Sequence, residues 1–252
     1  VSVLAAAGLC KSFGGVAAVR GVSFAVAAGE MLALIGPNGA GKSTCFNMLS
    51  GQLRPDAGRV HLAGDDITGL RPRRIWQRGV GRTFQITATF ASMTVRENVQ
   101  IALLSQHREI WRFWSPARRL RLAEAEALLA QVGLQPSAEL PAAELAYGDL
   151  KRLELAMALA NAPRLLLMDE PTAGMAPAER IALMRLARRL TTERGIAVLF
   201  TEHDMDIVFS VADRILVLHQ GELIAAGDGA TVRADARVRE VYLGSGAVTG
   251  GH

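Results

Sequence analysis

Apolar residues gather along this chain in short unbroken runs. Met31-Leu32-Ala33-Leu34-Ile35, Leu165-Leu166-Leu167-Met168 and Ile196-Ala197-Val198-Leu199-Phe200 each lack any polar residue. Runs of that length predict strands covered on both faces, as in a parallel sheet. Between them the pattern changes to a helical period, over 95–104, 118–132, 178–194 and 204–212. A further periodic helix with Leu150, Leu153, Met157 and Ala160 follows residue 149. Strand-like runs around 1–4, 21–26 and 58–62, and a hairpin of 214–218 with 222–226 around Gln220-Gly221, predict antiparallel pieces. The Phe13-Gly14-Gly15 turn separates the first two of these runs. Together they predict an α/β fold: a mainly parallel sheet core, an antiparallel β part and a helical insertion.

The loop after the first apolar run carries the first chemistry. Gly36, Pro37, Asn38, Gly39, Ala40, Gly41, Lys42, Ser43 and Thr44 fit G-x-x-x-x-G-K-[ST] without a gap. Backbone N–H groups of such a loop cradle polyphosphate oxygens, Lys42 reaches the outer phosphates, and the Ser43 hydroxyl can bind Mg²⁺. A helix is expected to begin near Lys42, turning the positive end of its dipole toward the anion. Strand, loop and helix stand in the order this chemistry needs.

The second buried run ends in two carboxylates, Asp169 and Glu170. Adjacent strand residues face opposite ways, so the two acids have different work. Asp169 is placed to hold Mg²⁺, and Glu170 to orient or deprotonate an attacking water. His203 follows the third buried run, at the edge where open α/β sheets bind ligands, and can donate to a γ-phosphate. The Gln85 amide can ligate Mg²⁺ or water. Around residues 145–149, a glycine turn at a helix start is either another anion site or an ordinary N-cap by Asp149.

Composition adds bounds. The chain has 252 residues, half of them apolar, and a formal charge of +4. That charge suits a nucleotide, a nucleic acid or an anionic membrane surface and selects none of them. No stretch has 18 uninterrupted apolar residues, so none is expected to span a bilayer. Two cysteines, Cys10 and Cys45, give neither metal spacing nor a disulfide framework, and are expected to be reduced thiols of a cytosolic protein. The apolar N-terminus lacks a basic leader region and reads as an edge strand.

With these residues assembled, the chain resembles the ATP-binding subunit of ABC transporters over essentially its full length. Six motifs stand in that family's order. They are an aromatic A-loop candidate (Phe13), the Walker A loop (36–44), the Q-loop (Gln85), the signature segment (145–149), Walker B with its glutamate (Asp169, Glu170) and the switch histidine (His203). Within the family it looks most similar to the larger ATPase subunit of branched-chain amino-acid importers. Gly79-Val80-Gly81-Arg82-Thr83-Phe84-Gln85, Met93-Thr94-Val95-Arg96-Glu97-Asn98-Val99, Gly174-Met175-Ala176-Pro177, Thr201-Glu202-His203-Asp204-Met205 and Val241-Tyr242-Leu243-Gly244 carry that likeness.

The resemblance implies a P-loop ABC-ATPase domain over 1–252, with a nucleotide-binding core of 1–86 and 159–252 and a helical subdomain of 87–158. It implies ATP and Mg²⁺ as ligands, and a homo- or heterodimer with a second ATPase subunit. Phe13 would stack on adenine, and Ala146, Tyr147, Gly148 and Asp149 would contact the nucleotide of the partner subunit. Integral membrane permeases at the cytoplasmic face of the inner membrane and, indirectly, a periplasmic solute-binding protein are implied partners. No nucleic acid is expected. The chain departs from the common signature L-S-G-G-Q at Ala146, Tyr147 and Asp149: Tyr147 agrees with the amino-acid importer branch, and Asp149 replaces a neutral glutamine, with Lys151 and Arg152 nearby to offset it; Ala176 stands where many relatives carry an aspartate.

Two expectations concern single features. Trp111, Phe113 and Trp114 among Arg108, Arg118 and Arg119 form either a packed aromatic cluster or a contact with permeases or anionic headgroups. Cys45, just inside the phosphate-binding helix, is expected to let a thiol reagent inhibit. A soluble ABC-type ATPase without a permease, a weakly catalytic subunit paired with a stronger one, and import of another small polar solute such as urea or amides remain alternative readings.

Overall fold

The structure, a computed structural model, describes residues 2–83, 89–106 and 121–243. β1 (Ser2–Phe13) folds back on β2 (Val16–Ala27) across Gly14-Gly15. Both strands run far beyond the expected 1–4 and 21–26. Their pairing shifts register at several points, so residues facing the core do not keep a strict alternation. β3 (Met31–Ile35), α1 (Lys42–Leu49), β4 (Ala57–Leu62) and β5 (Asp65–Asp66) follow, then α2 (Pro72–Gln77) and β6 (Val80–Thr83). α3 (Val95–Gln106), α4 (Leu122–Val132) and α5 (Tyr147–Leu159) make the helical stretch. β7 (Leu165–Asp169), α6 (Pro177–Arg194), β8 (Ala197–Thr201), α7 (Met205–Val211) and the hairpin β9 (Arg214–His219) with β10 (Glu222–Gly227) come next. α8 (Gly229–Ala234) and α9 (Ala236–Leu243) end the described chain. The hydrophobic pattern did not announce α2, β6, α8 or α9, all of them short.

Two sheets form. One is antiparallel, in the order β2-β1-β4-β5; the other has six strands in the order β10-β9-β3-β8-β7-β6. From β9 to β6 every pairing in the larger sheet is parallel, with β10 added antiparallel at the edge. Alternation along its strands divides the interior in two. Met31, Ala33 and Ile35 of β3 point into a core shared with α3, α4, α5 and α6. Leu32 and Leu34 point the other way, into a core shared with α1 and the antiparallel sheet. This is why the run in β3 is apolar at every position: both faces are covered. The helical stretch is therefore joined to the sheet through Leu153, Leu155 and Leu159, each almost fully buried. Burying one such leucine contributes about 1.5–3 kcal/mol.

Local chemistry sets the helix starts. Thr94 and Glu97 form a reciprocal cap on α3: Thr94 Oγ1 accepts from the Glu97 N–H at 3.1 Å, and Glu97 Oε2 accepts from the Thr94 N–H at 3.0 Å. Asp204 caps α7 by accepting from the N–H groups of Asp206 and Ile207. Gly133 and Gly195, both at positive φ, end α4 and α6. The Q-loop residue Gln85, with Phe84, and the Trp/Arg stretch from Arg108 to Arg119 lie outside the described residues.

Candidate nucleotide-binding site

Strand order assembles the site. β8 lies between β3 and β7, and β6 lies beyond β7. The carboxyl ends of these four strands therefore present, side by side, the phosphate loop, Thr201 with His203, Asp169 with Glu170, and the chain leading to residue 85.

The loop 36–44 joins β3 to α1 and contains three glycines at positive φ. Gly36 and Gly41 are fixed by space as well as by angle. A Cβ on Gly36 would lie 2.1 Å from the Leu218 carbonyl oxygen, and one on Gly41 would lie 2.5 Å from that of Ala18. Gly39 has nothing within 4 Å, so only its φ of 79° asks for glycine. Gly41 precedes α1 without a side-chain cap, and no acidic residue occupies the first turn. The N–H groups there are thus available to an anion.

Lys42 is buried, and its ammonium donates to the carbonyl oxygens of Gly36 at 2.7 Å and Pro37 at 3.1 Å. Burial lowers its pKa, while Glu170 and then Asp169 pull it back up. Those two attractions place the cation in the field of both carboxylates. Ser43 is exposed on the first turn of α1 and Thr44 is half-buried beside it.

Strand alternation does not separate Asp169 from Glu170, because β7 ends at Asp169 and both carboxylates act on Lys42. Asp169 ends β7, opposite Thr201 in the parallel register. Its Oδ1 accepts from the Thr201 hydroxyl at 2.8 Å and its Oδ2 from Arg82 Nη2 at 3.4 Å. Glu170 leaves the strand with φ 48°, a left-handed angle uncommon outside glycine. Its N–H donates to Thr201 Oγ1 at 2.9 Å. Its Oε1 stands 2.8 Å from His203 Nε2. A carboxylate can only accept, so the His203 ring is its donor here.

Several residues that sequence reasoning missed hold this arrangement. Thr201 serves both acids at once. Glu202 is buried and accepts from the Thr172 hydroxyl at 2.6 Å and N–H at 3.0 Å, fixing the turn that follows Glu170. Polar residues directly after the apolar β8 run were the available signal. Arg82 stands on a strand flanked by buried neighbours, and Tyr242 of α9 receives the Gly36 N–H while burial pushes its phenol up to about 12. Neither has a signature in its local pattern.

The outlying candidates sit apart from this edge. Phe13 ends β1 half exposed, with the Lys11 ammonium 5.7 Å from its ring centre. Its hairpin reaches the phosphate loop through Ala18 and Val19, which pack against Gly41. In the signature segment, Ala146 precedes the helix, and Tyr147, Gly148 and Asp149 form its first turn. Asp149 is therefore not an N-cap; the helix starts two residues before it. It pairs with Arg152 at 3.4 Å, as one of the two expected cations. Lys151 turns inward to Glu154 at 3.2 Å and lies 5.5 Å from the Tyr147 ring centre. The Tyr147 hydroxyl donates to the Ala173 carbonyl at 3.2 Å.

Cys45 corrects an expectation. It is fully buried, and burial pushes its thiol up to about 12. At neutral pH almost no thiolate forms, and a reagent has no path to it.

The donors present suit a hard cation. Asp169 and Ser43 offer oxygen, each Asp169 oxygen accepts only one hydrogen bond from protein, and among the described residues no cluster of three or more His, Cys, Asp or Glu exists. Oxygen ligands of this kind fit Mg²⁺ rather than zinc or copper.

Comparison with known proteins agrees with the fold. Residues 19–173 match the family model described as ABC transporter, and residues 222–248 match that of the branched-chain amino acid ATP-binding cassette transporter. The high-affinity branched-chain amino acid transport ATP-binding protein BraF of Pseudomonas aeruginosa is 40% identical over 96% of this chain and 98% of the relative. LivG of Escherichia coli K12, described in the same words, is 38% identical over the same shares. A crystal structure of an ABC-transporter ATP-binding cassette in its ADP conformation superposes with a TM-score of 0.87, at 34% identity, over 97% of this chain and 99% of that one. A nucleotide-free cassette gives 0.85 at 33% identity, over 96% and 99%. The chain belongs to the ATP-binding subunits of ABC transporters. It binds ATP and hydrolyses it to drive transport.

Proposed function

We propose that this subunit powers import of branched-chain amino acids, leucine, isoleucine and valine first among them. The observation that carries the catalytic part is the meeting of Lys42, Asp169, Glu170 and His203 at one edge of the sheet. The solute follows from likeness to BraF and LivG and from the C-terminal match over 222–248.

In this reading, Phe13 stacks on adenine. The amides of 38–44 and Lys42 hold the phosphates. Ser43, Asp169 and Gln85 hold Mg²⁺, which supplies charge neutralisation on the phosphate oxygens. Glu170 takes a proton from the attacking water, with its carboxylate aimed by His203. His203 also meets the γ-phosphate from the neighbouring strand end. Charge placed in advance where it develops is most of what phosphoryl transfer requires.

Two ATPase subunits close head to tail, so that Ala146–Asp149 of one chain completes the site of the other. The residues 87–158 move as the helical unit between 1–86 and 159–252. A cavity of about 370 Å³ between α2, β6, α3 and α5, lined by Trp76, Ile101 and Met157, receives a cytoplasmic segment of the permease. In this reading the subunit works at the cytoplasmic face of the inner membrane, with a periplasmic binding protein selecting the solute.

The test is reconstitution of the chain with its permeases, second ATPase and binding protein in liposomes. ATP-driven leucine uptake is the expected result. Uptake of urea or amides without leucine overturns the solute. Hydrolysis by a chain that never copurifies with membrane proteins overturns the importer.

A further inference from the structure

We infer that Arg82 is a positioning residue that holds Asp169 in the orientation needed to take up Mg²⁺, and does so by tying it to the end of the phosphate-loop helix. The inference rests on the reading that Asp169 is a metal ligand.

Arg82 sits on β6, opposite Leu167 of β7 in the parallel register. Its side chain is only 12% exposed, and the Asp169 side chain 9%. A guanidinium has five N–H donors in a rigid planar fork and stays charged when buried. Here the fork is divided. Nη1 donates to Ser50 Oγ at 2.6 Å and Asn47 Oδ1 at 3.0 Å, both at the C-terminal end of α1. Nη2 reaches Asp169 Oδ2 at 3.4 Å. The same helix begins with Lys42 and Ser43. One side chain therefore spans the helix that carries the hydroxyl ligand, the strand that carries the carboxylate ligand, and the strand that leads to Gln85.

Geometry gives the division of labour. Thr201 fixes one carboxylate oxygen at 2.8 Å, while the contact of Arg82 with the other is longer. The carboxylate is held at both oxygens, yet Oδ2 keeps a lone pair for a cation. A lysine cannot reproduce this. Its ammonium is one point charge and cannot span Ser50, Asn47 and Asp169 at once. Charge alone is thus separable from the two-armed bridge.

The experiment titrates binding of a fluorescent ATP analogue to the full chain, in EDTA and over a Mg²⁺ series. The variants are Arg82→Lys, Ser50→Ala and Asp169→Asn, each first checked by thermal unfolding. Affinity in EDTA is expected to stay within about twofold of the parent for Arg82→Lys and Ser50→Ala. The Mg²⁺ concentration for half-maximal enhancement is expected to rise about tenfold in Arg82→Lys, as when an outer-shell partner of a metal ligand is lost. Ser50→Ala, which removes one anchor and leaves the charge, is expected to move it the same way by about threefold, and carries the test if the lysine variant does not fold. A lost fold contact alone does not change the Mg²⁺ midpoint while sparing metal-free binding. If Asp169→Asn shifts the midpoint while Arg82→Lys, or Ser50→Ala in its place, matches the parent, the role of Arg82 is wrong. If Asp169→Asn also matches the parent, the metal assignment itself falls, and this inference falls with it.

Discussion

At the carboxyl edge of the parallel sheet, Asp169, Thr201, Glu170 and His203 are already bonded to one another within one chain. At the start of α5 the situation is reversed: Ala146 and Tyr147 are exposed, and Asp149 finds only the half-buried Arg152. The first region is bonded within one chain, with Asp169 and Thr201 buried and paired inside the fold. The second leaves its helix start exposed, with Tyr147 43% exposed even though its hydroxyl holds the Ala173 carbonyl. A residue set that is complete in itself can be read as chemistry, and one that faces solvent can be read as half of an interface. In the proposed head-to-tail pairing, one kind of region would meet the other.

Substitution at Glu170 is the sharpest way to break that contrast. Glu170→Gln keeps shape and the hydrogen bond from His203 but removes the base. Turnover is expected to fall by about 100-fold or more while ATP still binds. Steady-state hydrolysis alongside a nucleotide titration reads both, and a near-normal rate removes Glu170 from the role of base.

Within the phosphate loop, the glycines should separate by cause. Gly36→Ala meets the Leu218 carbonyl at 2.1 Å, a backbone atom that cannot step aside, and is expected to abolish ATP binding and lower the melting temperature. Gly39→Ala meets nothing within 4 Å and bears only the cost of positive φ, about 1–2 kcal/mol. Thermal melts of the two variants check the order; equal losses would mean that backbone angle, not space, governs both.

Asp149→Gln probes the outward region and carries the smallest effect. Its pair with Arg152 is partly exposed, so stability should move by less than about 1 kcal/mol. If Asp149 faces a partner's nucleotide as proposed, removing its negative charge is expected to raise hydrolysis by the dimer about threefold and leave the monomer's ATP affinity unchanged. Hydrolysis that stays the same across a range of protein concentrations counts against a trans contact.

How legible this was depended on distance along the chain. The phosphate loop, Asp169-Glu170 and His203 were visible because each lies at the end of an apolar run whose burial the sequence displays. β1 and β2 were read too short because shifted pairing breaks the period that would betray a half-buried strand. Asp149 looked like a cap because Tyr147-Gly148 reads as a turn, yet the helix starts at Tyr147, where the chain packs on Ala173 and Gly174. Cys45 looked reactive by its place near the phosphates, but one turn of α1 points it into the core.

The amino-acid sequence by itself determined the strands buried on both faces, the glycine-rich loop, and the lysine, carboxylates and histidine that stand at the ends of those strands. These follow from local backbone limits and from apolar runs that only a covered sheet can satisfy. Tertiary structure alone decided that β8 would stand between β3 and β7, that the Thr201 hydroxyl would hold both the Asp169 carboxylate and the Glu170 backbone N–H, and that Arg82 would reach from β6 to both α1 and Asp169. Strand order joins residues more than thirty positions apart in sequence, and no local pattern of polarity encodes which strands become neighbours.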